Sequence, residues 1–186
     1  MSRNVALLLV LILAASGAIS ALRVVAGSRI IAVPDDYPTI AAAIGNAFDG
    51  DTIFVKTGRY EGSRNQTLFI NKTISLIGED PKSTTINLHP PLVPMNIFTY
   101  EYIGYLNAIK IDADGVKISG FTITSDGGNL RATGNGTQII GNDMSLSVSA
   151  TGDGTQIINN ILTGISSTGS YQTIAQNTIT KGTLNF

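Results

Sequence analysis

The sequence predicts an all-β solenoid, a stack of short strands entered through one N-terminal helix. Three observations predict it. The unit Thr137-Gln138-Ile139-Ile140-Gly141-Asn142 returns as Thr155-Gln156-Ile157-Ile158-Asn159-Asn160, and after an almost equal interval as Gln172-Thr173-Ile174-Ala175-Gln176-Asn177. A unit of roughly 20 residues cannot close a core alone, so it must stack on its neighbours. Composition points the same way: 20 of 186 residues are Gly and only 13% are charged, about half the usual quarter, as suits many short strands and tight turns. Helical spacing appears clearly once, early in the chain.

Taken in order, Met1-Ser2-Arg3-Asn4 is a short basic start, Val5 to Ala15 is an unbroken apolar run, and small residues follow through Ala21. This is the plan of a secretory signal, with cleavage expected after Ser20. The apolar run falls short of the roughly 20 residues of a membrane span. The competing reading is an uncleaved anchor continuing through Val24, Val25 and Ala26, which Arg23 interrupts. Cys is absent, so an exported chain would rely on packing and hydrogen bonds. Asn65, Asn71 and Asn135 each begin an acceptor sequon for glycosylation. The expected localisation is secreted or cell surface. The organisation expected is a signal peptide over 1–20, a lead-in over 21–32, and the solenoid over 33–186 with an inserted loop at about 89–107.

Pro34 to Pro38 is a turn-rich entry. Ile40, Ile44 and Ala47/Phe48 then recur at helical spacing, with Pro38 at the first helical position. Asp49-Gly50-Asp51 ends that helix as a turn. Thr52 to Val55 opens the strand region, and the helix is expected to cover the first rung and its open edge. Leu68 to Ile70, Thr73 to Gly78, Ala108 to Ile111 and Val116 to Ile123 continue the strands. In this alignment Gly120 occupies the slot that Asn142 fills one rung later, and Gly78 lies one rung plus an insertion before Gly120. His89-Pro90-Pro91-Leu92-Val93-Pro94 breaks the repeat. From residue 50 onward, about six rungs are expected, stacked to roughly 25–30 Å.

Two stretches resemble the right-handed parallel β-helix family, pectinesterase-like and NosD-like proteins of the pectin-lyase-like fold. One runs from Val33-Pro34-Asp35-Asp36-Tyr37-Pro38 through Gly58-Arg59-Tyr60-Glu61 to Ile77-Gly78-Glu79. The other is the rung repeat of 137–179. The resemblance implies a right-handed parallel β-helix with a short N-terminal capping helix. It does not carry the activity across. The Gln-Asp-Thr and Asp-Phe-Ile-Phe-Gly boxes of pectinesterases are missing, and after Ile111 the basic residues are only Lys117, Arg131 and Lys181. No catalytic residue is therefore expected.

The chemistry left to weigh is sparse. A net charge of −1, from 12 Lys and Arg against 13 Asp and Glu, with no basic run, excludes an electrostatic nucleic-acid binder. Asp112-Ala113-Asp114-Gly115 could alternate two carboxylates onto one strand face for Ca²⁺, and no other cofactor is expected; the plainer reading is an acidic turn. Asp126-Gly127-Gly128 and Asp153-Gly154 read as turns. His89, the only His, cannot make a His-rich copper or zinc site without Cys and is expected in a loop. Asn142, Asn160 and Asn177 are expected to form a structural ladder at a corner of the coil. Phe98, Tyr100, Glu101, Tyr102 and Tyr105 are candidate glycan contacts, or a flap packed on the solenoid. The expected function is a non-catalytic secreted or cell-surface protein with a structural, glycan-binding or protein-binding role. The alternatives are a polysaccharide lyase or pectinesterase-like hydrolase, or an N-terminal piece of a longer surface protein. Glycan, a surface protein and a second copy meeting the C-terminal rung are the expected partners.

Overall fold

A computed structural model describes residues 28–91 and 107–182, with the backbone of Leu184–Asn185. The signal segment 1–20, most of the lead-in, and Phe98, Tyr100, Glu101, Tyr102 and Tyr105 lie outside the described residues.

The strands form three sheets, and every strand pair is parallel. The first sheet stacks β1 (Ile30–Val33), β2 (Thr52–Val55), β5 (Ser75–Gly78), β8 (Lys117–Ser119), β11 (Gln138–Ile140), β14 (Gln156–Ile158) and β17 (Thr173–Ala175) in that order. The second stacks β3 (Gly58–Glu61), β6 (Thr84–Leu88), β9 (Thr122–Ser125), β12 (Asp143–Met144), β15 (Ile161–Leu162) and β18 (Thr178–Ile179). The third stacks β4 (Leu68–Ile70), β7 (Ile109–Ile111), β10 (Leu130–Ala132), β13 (Val148–Ala150), β16 (Ile165–Ser167) and β19 (Leu184–Asn185). From β2 onward the chain visits first, second and third sheet in rotation. This all-β architecture with one helix is consistent with a parallel β-helix.

Alternation decides which side chains enter the core. Ile31, Ile53, Leu76, Ile118, Ile139, Ile157 and Ile174 are opposite one another in successive strands. All but Ile174 are buried, so they form one interior column. Each such side chain contributes about 1.5–3 kcal/mol by leaving water. In the repeated Ile-Ile pairs the first faces in and the second out: Ile139 is buried and Ile140 half-buried. Gly78 and Gly120 stack where a Cβ on Gly78 would collide with the Gly120 carbonyl, and Gly120 has φ +80°. Only glycine meets both demands there.

The helix α1 is Ile40–Asn46, shorter than the spacing suggests. Thr39 is its N-cap, and the Thr39 hydroxyl accepts from the Ala42 N–H at 3.1 Å, which leaves Pro38 outside rather than at the first helical position. Ala47 is already extended, so Phe48 turns outward and lies 62% exposed under the Arg29 guanidinium, 4.9 Å away. The Lys72 ammonium donates to the carbonyls of Ile44, Gly45 and Ala47 at 3.0, 2.7 and 2.7 Å, closing the helix C-terminus. Ile40, Ala43 and Ile44 are buried, and α1 touches β1, β2 and β4, standing where the first turn has no strand in the other two sheets.

Three further expectations change. Strand pairing begins at Ile30, inside the 21–32 lead-in, because Ile30–Val33 pairs with Thr52–Val55, which places one strand of the first sheet ahead of the six that follow residue 50. Ser119 opposes Ile140, which sets Phe121 and not Gly120 in the slot of Asn142. Phe121 is fully buried there and its N–H donates to Asn142 Oδ1 at 3.2 Å. Asp51 is more than a turn residue. It is buried and paired to Arg29 at 2.6 Å, and its carboxylate also accepts from the N–H groups of Arg29 and Phe48. The Arg29 hydrogen bonds hold its carboxyl far below the usual range.

Candidate functional site

Stacking gathers the richest polar cluster at the outer face of the second sheet. Glu61 of β3 opposes Asn87 of β6, which opposes Thr124 of β9. Alternation points all three outward, since Tyr60, Ile86 and Ile123 take the inner positions. Thr124 Oγ1 donates to Asn87 Oδ1 at 2.5 Å, and Asn87 Nδ2 donates to Glu61 Oε1 at 2.7 Å. Arg59 Nε donates to the same Glu61 oxygen at 2.9 Å. His89 stands just past β6, with Nδ1 2.5 Å from Asp126 Oδ2 and Nε2 3.2 Å from Glu61 Oε2.

The electrostatics follow from these contacts. Arg59 first, then Asn87 and His89, lower the Glu61 carboxyl to about 2. Asp126 first, then Glu61, raise the His89 imidazole above its ordinary value. The arrangement is an imidazole held between two carboxylates, with both ring nitrogens occupied. The sequence reading leaves His89 in a loop without a role. Its partners lie 28 and 37 residues away.

Beside this cluster a cavity of about 320 Å³ opens between α1 and the turn joining β3 to β4, with Arg59, Tyr60 and Glu61 along one wall. It is bounded by the first described turns of the coil, with Ile40 of α1 facing Ile86 and Leu88 of the second sheet across it.

The residues singled out from sequence fall elsewhere. Asn142 Nδ2 donates to Asn160 Oδ1 at 3.1 Å, and Asn160 Nδ2 to Asn177 Oδ1 at 3.0 Å. The same oxygens accept the backbone N–H of Asn142 and Asn160. Asn142 and Asn160 are buried and Asn177 is half-buried. These amides are committed to one another and to backbone carbonyls.

Asp112 and Asp114 do not alternate on a strand face; β7 ends at Ile111 and both lie in the turn before β8. Asp112 meets Lys110 Nζ at 2.5 Å and Thr133 Oγ1 at 2.9 Å, whereas Asp114 Oδ1 accepts from the Asn135 N–H at 2.7 Å. Lys110 holds the Asp112 carboxyl below its usual range. The two carboxylates thus have separate partners, and among the described residues no three metal-ligating side chains gather to hold an ion.

A second ladder runs along this corner and is absent from the sequence reading. Asn135 Oδ1 accepts from the Asp153 N–H at 2.9 Å, and Asp153 Oδ1 from the Ser170 N–H at 2.7 Å. Its signal is the recurring Asx-Gly pair at 114, 135 and 153. Asn65, Asn71 and Asn135 of the sequons are all exposed.

No family model, no curated protein and no solved structure matches this chain. The resemblance drawn from residues 33–79 and 137–179 therefore stands on those residues alone.

Proposed function

We propose that this chain is an exported right-handed parallel β-helix that binds glycan at the cell surface or outside the cell, without cleaving it. The handedness is supported by the rotation of the chain through three parallel sheets, since parallel crossovers are right-handed almost without exception. Export is supported by the order of basic, apolar and small residues over 1–20. Structural roles and protein contacts share the same outer faces.

The observation that carries the binding reading is the cavity of about 320 Å³ beside Glu61, and the state of Glu61 bears on cleavage. Glycosidic cleavage needs a carboxylic acid that keeps its proton, with a raised pKa. The Glu61 carboxyl is instead lowered to about 2 and fastened by Arg59, Asn87 and His89. The polysaccharide-active alternative keeps one observation in its favour: an Arg, a His and two carboxylates meet on one side of the coil. A glycan array joined to a polysaccharide-cleavage screen separates the readings. Retention of a glycan with no new reducing ends, unsaturated product or released methanol is expected. Turnover lost on replacing Glu61 or His89 would establish the enzyme.

A further inference from the structure

Resting on the glycan-binding reading, we infer that the cavity beside Glu61 takes the terminal ring of an uncharged saccharide end-on, not a run of polymer. Size is the first argument. About 320 Å³ is at the small end of ligand cavities, which span roughly 300–1,000 Å³, so it holds one or two rings. The walls are the second. Ile40 from α1, Leu68 from β4 and Leu88 from β6 supply an apolar floor, backed by the partly buried Tyr60. The rim is polar, from Ser63, Gln66 and Arg59. A pyranose has an apolar C–H face and hydroxyls around its edge, and this floor and rim suit the two surfaces in turn.

Charge is the third argument. The two ionic groups at the rim, Arg59 and Glu61, are 2.9 Å apart and of opposite sign, so the rim carries no net charge to select an acidic sugar. Among the described residues the side chains of Ser63 and Gln66 have no hydrogen-bond partner, which leaves their donors and acceptors to hydroxyl groups.

The test uses the full chain, a glycan array, and free methyl glycosides of glucose, galactose and mannose as competitors. Ala41 is exposed on α1 and lines the cavity, so Ala41→Trp narrows it without entering the core. One methyl glycoside should displace the retained glycan. Ala41→Trp and Gln66→Ala should each weaken binding at least tenfold while the melting temperature stays unchanged. Retention that only polymer displaces, or that ignores Ala41→Trp, overturns the end-on site and leaves the glycan-binding reading standing. No retention at all overturns both.

Discussion

Asn160 shows what one side chain holds. Its Oδ1 accepts from both nitrogens of Asn142, and its Nδ2 donates to Ile139 O at 2.8 Å, Ile158 O at 3.0 Å and Asn177 Oδ1 at 3.0 Å. Leucine fits the volume but leaves buried donors and acceptors unmet, so Asn160→Leu should destabilise the fold by about 1–3 kcal/mol. The half-buried end member Asn177 should lose less on the same change, because water can reach its partners. Urea denaturation of the two variants checks both the loss and the order.

His89 makes a second prediction at this scale. Its pKa is raised in the folded state, so its contribution is complete below the unfolded value of 6.5 and is lost as pH rises through the folded pKa. Glu61 is lowered to about 2 from 4.5, so its contribution is complete above 4.5 and fades as pH falls toward 2. The clamp is strongest between these limits. Wild type should exceed His89→Gln in melting temperature most at about pH 5–6, with the gap closing as pH rises through the folded His89 pKa. A gap independent of pH would mean that His89 acts by packing alone.

At the scale of elements, α1 is too short to hold itself together and depends on what it covers. Its apolar side meets β1, β2 and β4, while Lys72 satisfies three carbonyls at its end. Lys72→Met keeps the stem and removes those bonds, and should cost about 1–2 kcal/mol. Loss of amide protection confined to α1, read by hydrogen exchange, would locate the effect. The later strands were legible because Thr137, Thr155 and their followers recur with little change in spacing. Around Phe121 legibility failed, since an apolar residue fills the ladder slot and drew Gly120 into the alignment. The helix ends were misjudged for a local reason: Thr39 captures the Ala42 N–H, which no apolar periodicity reveals.

For the whole molecule, the coil was readable and the site was not. Glu61, His89 and Asp126 carry no shared motif. They meet because Glu61, Asn87 and Thr124 stack in register, although the interval from Asn87 to Thr124 is much longer than that from Glu61 to Asn87. Turns and an insertion set those intervals, so no constant period points to the cluster. The Asx-Gly column was visible only as separate turns. The order of residues 1–20 is readable without any structure, and it makes a prediction for the intact protein: exported material should begin at Ala21. Amino-terminal sequencing that returns Met1 would refute it.

The second sheet narrows along the coil. Strands β3, β6 and β9 have four, five and four residues, whereas β12, β15 and β18 have two each. Because each turn touches only its neighbours, stability is a chain of nearest-neighbour couplings, weaker where fewer backbone bonds join successive turns. Fluctuations should therefore open the molecule like a zipper from its thin end, with the two ladders as its teeth, and the front should slow at the broad strands behind Phe121. Under a pulling force the protein would yield in steps of one turn, and the cavity beside α1 would be among the last features to disappear.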